Sequence, residues 1–329
     1  MHRMKAIKIR NFGFQSELEW TETGLVRPGP EEVSIRIHAT AVNRADLLQR
    51  RGLYPPPEGA SDILGLECAG EIAETGSYVT KWKSGDRVCA LLAGGGYAEY
   101  VNVPQEMLLP VPKNLTFTEA ACIPEAYYTA YLNLIDIGKL KRDETCIIHS
   151  GGSGIGTAAI QLAKTIGANV ITTTGTLEKN GKCIELGADY AFDHTDENFF
   201  KKIRTMIQPP GIDLILDTVG AQYMTENISL LGYRGRLILI GLLGGSKSAL
   251  DLGQVLTKNI LIAGSTLRNK PLQEKKILTK KIRSEVLPHF ETGHLKPVMD
   301  SVWPITKVQD AHQRMAENRN FGKIVLSVI

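Results

Sequence analysis

The segment Thr145-Cys146-Ile147-Ile148-His149 is a short apolar run rich in β-branched residues. It runs through Ser150 into the glycine string Gly151-Gly152-Ser153-Gly154-Ile155-Gly156. Beyond it, Thr157-Ala158-Ala159-Ile160-Gln161-Leu162-Ala163-Lys164 carries apolar residues at helical spacing. Strand, tight turn and helix in this order form a phosphate-binding βα unit, in which a pyrophosphate meets amides at a helix N-terminus. Gly167-Ala168 ends the helix and residues 169–174 form the next strand, so the unit closes in about thirty residues. Gly151, Ser153, Gly154, Ile155 and Gly156 are therefore candidate cofactor contacts. Ser153 stands at the middle glycine of the Gly-x-Gly-x-x-Gly frame, where it still allows close backbone approach and can add a hydroxyl.

About twenty positions beyond such a turn, a chain that hydrogen-bonds a ribose 2′-hydroxyl carries Asp or Glu. Here that position is Gly175, followed by Lys179. A glycine leaves room for a 2′-phosphate and a nearby ammonium attracts it, whereas a carboxylate would repel it. The expected cofactor is NADPH.

The rest of the chain supports an α/β fold with a doubly wound parallel Rossmann sheet plus a β-rich second domain. Strand-like runs at 146–149, 170–174, 189–192, 214–217, 236–240 and 260–263 alternate with helix-like segments. Before them, residues 5–124 are rich in short strands, glycines and prolines; in Glu32-Val33-Ser34-Ile35-Arg36-Ile37-His38-Ala39 apolar residues recur at every second position. The tail has one amphipathic helix at 272–292 and a final strand at 323–328, too little for a core of its own, so it returns to the first domain. The expected domains are 1–124 with 268–329, and 125–267.

Formal charge and cysteine usage exclude several function classes. A net charge of +3 with dispersed lysines and arginines gives no nucleic-acid footprint, and no apolar stretch reaches the roughly 18 residues of a membrane span. The start Met1-His2-Arg3-Met4-Lys5 lacks an apolar signal core, so a cytoplasmic location is expected. Five widely spaced cysteines, without a Cys-x-x-Cys pair, argue against a disulfide framework and a four-cysteine zinc lobe. Seven histidines form no metal-binding pair, and no metal site is expected.

Three further stretches carry a resemblance over essentially the whole chain. Asn43-Arg44-Ala45-Asp46-Leu47 through Tyr54-Pro55-Pro56-Pro57, Gly65-Leu66-Glu67-Cys68-Ala69-Gly70 and Gly85-Asp86-Arg87-Val88 resemble the quinone oxidoreductase branch of the medium-chain dehydrogenase/reductase superfamily. Ile123-Pro124-Glu125-Ala126, Gly241-Leu242-Leu243-Gly244-Gly245 and Gly322-Lys323-Ile324-Val325-Leu326 extend the likeness. The resemblance implies that the β-rich domain is GroES-like and catalytic. Zinc-dependent members have a cysteine at the position of Asn43 and a histidine at that of Leu66, so zinc-free reduction of an electrophilic acceptor, a quinone or an activated alkene, is implied here.

Residue by residue, the likeness places Asn43, Asp46 and Tyr54 on the catalytic wall facing the nicotinamide. Asn43 would donate its amide to a quinone oxygen, Asp46 would anchor the loop or the substrate, and Tyr54 would offer a hydroxyl and a stacking face. Capping of the following helix by Asn43 and Asp46, and packing of a proline turn by Tyr54, are the alternatives. Thr129 is matched to the nicotinamide carboxamide, Gly241, Leu242 and Leu243 to the backbone beside the ring, and Leu267 to the other side of the carboxamide. His194 stands where some relatives hold the 2′-phosphate with a tyrosine, or is a surface residue. Tyr54 and Tyr128 together suggest an aromatic pocket. An enone double-bond reductase and a non-catalytic, crystallin-like dinucleotide binder are the competing functions. The unprotected strand at 260–263 predicts a homodimer paired about a two-fold axis.

Overall fold

The computed structural model describes residues 3–13, 15–207, 209 and 211–329. Met1 and His2, on which part of the N-terminal reading rests, lie outside that set. The chain divides into two compact units, residues 1–128 with 268–329, and residues 129–267. The first boundary falls inside the helix Pro124–Tyr131, a few residues beyond 124/125.

In the first unit, β1 (Arg3–Arg10) and β2 (Glu17–Gly24) form an antiparallel hairpin. The remaining strands here are β3 (Glu32–Ala41), β4 (Glu67–Thr75), β5 (Arg87–Leu91), β6 (Tyr100–Pro104) and β7 (Leu108–Pro110). The second unit contributes β8 (Thr145–Ile148), β9 (Asn169–Thr174), β10 (Tyr190–Asp193), β11 (Ile212–Asp217), β12 (Leu231–Leu239) and β13 (Leu261–Gly264). After it come β14 (Met299–Pro304) and β15 (Lys323–Ser327), which belong to the first unit.

The large sheet of the first unit runs β14-β15-β3-β4-β5-β7, with β6 also on β3. β15 pairs antiparallel with β3, Val325 opposite Ala41, so the tail joins the sheet of the first unit. Burial explains the pairing. Ile324, Val325 and Leu326 are fully buried and join Ile7, Val42, Leu64 and Tyr97 in one core cluster or its immediate sheet. The amphipathic segment at 272–292 is not one regular helix. Leu272–Lys281 passes into a wider π-turn at Ile282–Val286 before Leu287–Glu291. Pro288 has no N–H for the preceding turn, and the wide turn accommodates that loss.

The second unit is a six-stranded parallel sheet in the order β10-β9-β8-β11-β12-β13. Its strands are nearly continuous apolar runs, because helices cover both faces; Cys146, Ile147, Ile148, Leu214, Ile215 and Leu216 are all buried. The order reverses between β8 and β11. At such a switch point the loops at the strand C-termini leave a crevice, and the turn at 151–156 leaves β8 there.

Candidate functional site

In the second unit, the turn after β8 is built by close approach. A Cβ on Gly151 would lie 2.0 Å from Thr172 Oγ1, and one on Gly156 would lie 2.3 Å from the Ser150 carbonyl. Neither position tolerates a side chain. Ser150 takes a left-handed conformation, φ 59°, which reverses the chain into the helix Gly154–Ile166. Ser153 caps that helix, its Oγ accepting the Gly156 amide at 2.9 Å. The first-turn amides of Gly154 and Ile155 lie beyond any intrahelical acceptor, as at every helix start. A pyrophosphate suits them.

At the end of β9 the structure brings Gly175 and His194 together: a Cβ on Gly175 would stand 3.2 Å from His194 Nε2. The helix Leu177–Glu185 starts immediately after, capped by Thr176, whose Oγ1 accepts the Lys179 amide at 3.2 Å. Lys179 thus sits in a first helical turn, one turn from Gly175. His194 is exposed and anchored by its amide to the Thr174 carbonyl at 2.8 Å.

The loop after β11 is held by Asp217. Its carboxylate accepts the amides of Val219 and Gly220 and the side-chain amide of Asn227. Asn227 also bonds His149 Nε2 at 2.9 Å. A Cβ on Gly241 would meet the Thr218 carbonyl at 2.7 Å, whereas Leu242 and Leu243 are exposed. Thr129 is 7% exposed, yet its hydroxyl has no hydrogen-bond partner among the described residues. A buried orphan of this kind costs about 1 to 3 kcal/mol, so a bound carboxamide that pairs with it fits the site. Leu267 is buried at the end of the same unit.

In the first unit, Asn43 caps the helix Arg44–Arg50, and the fully buried Asp46 accepts the Asn43 amide at 2.8 Å. Asp46 also accepts the Gly65 amide at 3.0 Å and the Tyr97 hydroxyl at 3.2 Å. Burial raises its pKa to about 6. With both oxygens engaged inside the protein, Asp46 has the geometry of a loop anchor. Asn43 is equally committed. Its amide donates to the Ala41 carbonyl at 3.2 Å and to Glu67 Oε1 at 2.8 Å, and its Oδ1 accepts from Lys323 Nζ at 2.5 Å. Donation to an acceptor oxygen would break one of these bonds.

Tyr54 differs. It is half-buried, burial raises its pKa, and its hydroxyl finds no hydrogen-bond partner among the described residues. The Arg268 guanidinium lies 5.5 Å from its ring centroid. Arg268 is itself buried, donating to the Ala93 carbonyl and to Gln49 Oε1, both at 2.8 Å. Tyr128 is not part of an exposed aromatic pocket: it is fully buried, with its hydroxyl on Thr279 Oγ1 at 3.0 Å.

Sequence reasoning missed the charged residues that organise this unit. Glu67 pairs with Lys323 Nζ at 2.7 Å, both being buried, and its second oxygen accepts the Glu125 amide at 2.8 Å. Glu125 is half-buried, and burial followed by the Glu67 charge pushes its pKa up to about 8. Lys275 donates to the Arg268 carbonyl at 2.5 Å and faces Glu125 electrostatically. The available signal was a lone acid and a lone base in otherwise apolar strand runs, which must be paired when buried.

The same network does not fit a zinc ion. Leu66 offers a buried aliphatic chain, and the Lys323 ammonium occupies the acceptor sides of Asn43 and Glu67. Among the described residues, no three His, Cys, Asp or Glu side chains converge as metal ligands.

Family models match both units: an alcohol dehydrogenase GroES-like domain over residues 29–113 and a zinc-binding dehydrogenase domain over 154–282. A quinone oxidoreductase of Sus scrofa is 30% identical over 328 residues, covering 98% of this chain and 97% of that protein. The synaptic vesicle membrane protein VAT-1 homolog of Rattus norvegicus is 32% identical over 315 residues, covering 91% and 77%. Among solved structures, the CurK enoyl reductase superposes with a TM-score of 0.88 at 26% identity, covering 98% and 99%. The βα phosphate turn, the GroES-like sheet and these full-length relatives together establish that the chain belongs to the medium-chain dehydrogenase/reductase superfamily of oxidoreductases, in its quinone oxidoreductase branch.

Proposed function

We propose that the protein is an NADPH-dependent, zinc-independent oxidoreductase that reduces quinones. The observation that carries the reading is the chemistry of the groups left open in the first unit. Tyr54 has an unpaired hydroxyl beside the fixed Arg268 cation, while Asn43 and Glu67 are closed off by Lys323. Such a site stabilises negative charge appearing on an oxygen but offers no Lewis acid. It suits an acceptor that is already electrophilic.

NADPH supplies a hydride when bound. Gly151, Gly154, Ile155 and Gly156 would take its pyrophosphate at the helix start, with Ser153 capping that helix. Thr129 would hold the carboxamide, with Leu267 and the 241–243 backbone beside the ring. Gly175, Lys179 and His194 would receive the 2′-phosphate, since Gly175 gives room, Lys179 gives charge and both side chains give hydrogen-bond donors. Tyr54 would donate to the acceptor oxygen as its charge develops.

The likeness to an enoyl reductase favours one second reading, reduction of an activated alkene by the same groups. Steady-state NADPH oxidation with a panel of quinones and enones separates the possibilities. Saturable turnover with higher kcat/KM for quinones supports the first reading, and the reverse order supports the second. No turnover with either leaves a dinucleotide-binding protein without this activity. We further propose a homodimer through the β13 edge, where Leu261 and the neighbouring Leu252 and Leu256 are exposed.

A further inference from the structure

We propose that Glu125 is the general acid that gives the acceptor its proton, an assignment that rests on the reductase reading above. Two carboxyls, Glu67 and Glu125, act on each other in one site. Glu67 has every feature of the ionised partner: Lys323 Nζ at 2.7 Å and the Asn43 amide at 2.8 Å on one oxygen, and the Glu125 backbone amide at 2.8 Å on the other. Each of these donors favours negative charge at Glu67. Glu125 has no such set. Its carboxyl makes no hydrogen bond to any described residue, while its own backbone ties it beside the Glu67 charge.

Two like charges so placed are not both carried cheaply, and the one with donors keeps its charge while the other keeps its proton. The groups facing Glu125 are Glu67 on β4, Lys323 on β15, Asp46 on the helix Arg44–Arg50 and Lys275 on the helix Leu272–Lys281. Glu67 and Asp46 favour the protonated form, and the two lysines together with the Arg268 guanidinium oppose it. Burial and Glu67 outweigh them, leaving a carboxylic acid that is mostly protonated at neutral pH and titrates at about 8. Glu125 also acts electrostatically on Tyr54 and Arg268, so acid, hydroxyl and cation share one neighbourhood.

The step balances with the cofactor already named. Bound NADPH would supply the hydride and its electron pair, so that the quinone would be reduced as the cofactor is oxidised and the quinone oxygen would take up negative charge. The O–H bond of Glu125 breaks as a new O–H bond forms on that oxygen. Glu125 is left as a carboxylate, and water from bulk solvent returns its proton before the next cycle. Tyr54 stabilises the oxyanion without giving up its proton, since burial raises its pKa further above the working range.

The test is the pH profile of kcat/KM for quinone reduction in the wild type, Glu125→Gln and Glu67→Gln, with NADPH binding as the check on folding. In the wild type the rate should be level at low pH and fall above about pH 8, because an acid must hold its proton. Glu125→Gln should lower the rate on the order of 10²-fold and abolish that limb. Glu67→Gln should move the limb to lower pH, since removal of its charge eases ionisation of Glu125. Infrared titration provides a readout apart from turnover: a protonated-carboxyl band that disappears above about pH 8 and is missing in Glu125→Gln. Full rate and an unchanged limb in Glu125→Gln would overturn the assignment alone, as would a Glu125 already ionised at pH 7. A wild type that reduces neither quinones nor enones would instead overturn the reductase reading, and this assignment with it.

Discussion

Replacing Gly175 with Asp should invert the cofactor preference. The new Cβ would stand 3.2 Å from His194 Nε2, a few tenths of an ångström inside ordinary contact, and the exposed histidine ring can move by that much. The introduced carboxylate competes with the 2′-phosphate for Lys179 and His194. Losing a charge-assisted phosphate contact costs about 1.5 to 3 kcal/mol. Repulsion adds about 1 kcal/mol per unit of phosphate charge at about 4 Å in a water-like dielectric, and the phosphate carries about 1.5 to 2 such charges. Together, at about 3 to 5 kcal/mol, these weaken NADPH binding on the order of 10²- to 10⁴-fold. NADH escapes the repulsion and gains a carboxylate acceptor for its ribose hydroxyl. Dissociation constants for both dinucleotides, measured by fluorescence titration at one fixed ionic strength, check the argument. The wild type should prefer NADPH at least about tenfold and the variant should prefer NADH, while Lys179→Ala should lose most of the wild-type preference. Equal constants in the wild type, or an unaltered ratio in folded Gly175→Asp, would refute the assignment of this corner to the 2′-phosphate.

Three other outcomes are expected. Tyr54→Phe keeps the ring beside Arg268 but removes the unpaired hydroxyl, so kcat should fall roughly ten- to a thousandfold with NADPH affinity unchanged; a nearly silent variant would reduce Tyr54 to packing of the proline turn. Prolonged chelation should leave NADPH-quinone turnover intact, and elemental analysis should find no stoichiometric zinc; activity lost to the chelator and restored by zinc would contradict the reading of Asn43, Leu66 and Lys323. Sedimentation at micromolar concentration should give a dimer that a charged substitution at Leu261 dissociates, whereas a wild-type monomer would leave the β13 edge without the proposed role.

The second unit was legible because its signals are local. Strand, glycine turn and helix occupy adjacent residues, and apolar runs located the parallel strands to within about two positions, as with 214–217 against Ile212–Asp217, except β12, which starts at Leu231, five positions before the expected 236. Nothing in the apolar pattern at 272–292 announces the π-turn before Pro288, which depends on one missing N–H. The first unit's charge network was hidden for a different reason. Its members meet only in three dimensions: Asn43 bonds Glu67 24 positions away, Glu125 bonds Glu67 58 positions away, and Lys323 reaches Asn43 280 positions away. A reading by motif therefore finds Asn43 and offers its amide to a substrate, when Glu67 and the Ala41 carbonyl already hold both of its hydrogens.

That network also sets how the buried charges of the first unit are balanced. With Asn43 and Leu66 at positions where zinc-dependent relatives carry ligands, Glu67 remains buried and still requires a cation, because an unpaired buried carboxylate costs several kcal/mol. Lys323 supplies it at 2.7 Å. A single ammonium within hydrogen-bonding distance satisfies one carboxylate, however, and Glu125 stands beside the same pair with no donor of its own. The second carboxyl retains its proton because it is buried beside the Glu67 charge, against the pull of Lys323. Lys323 and Glu67 thereby act on Glu125 in opposite directions, and burial with the Glu67 charge prevails, leaving an acid in an arrangement that does not fit a zinc ion.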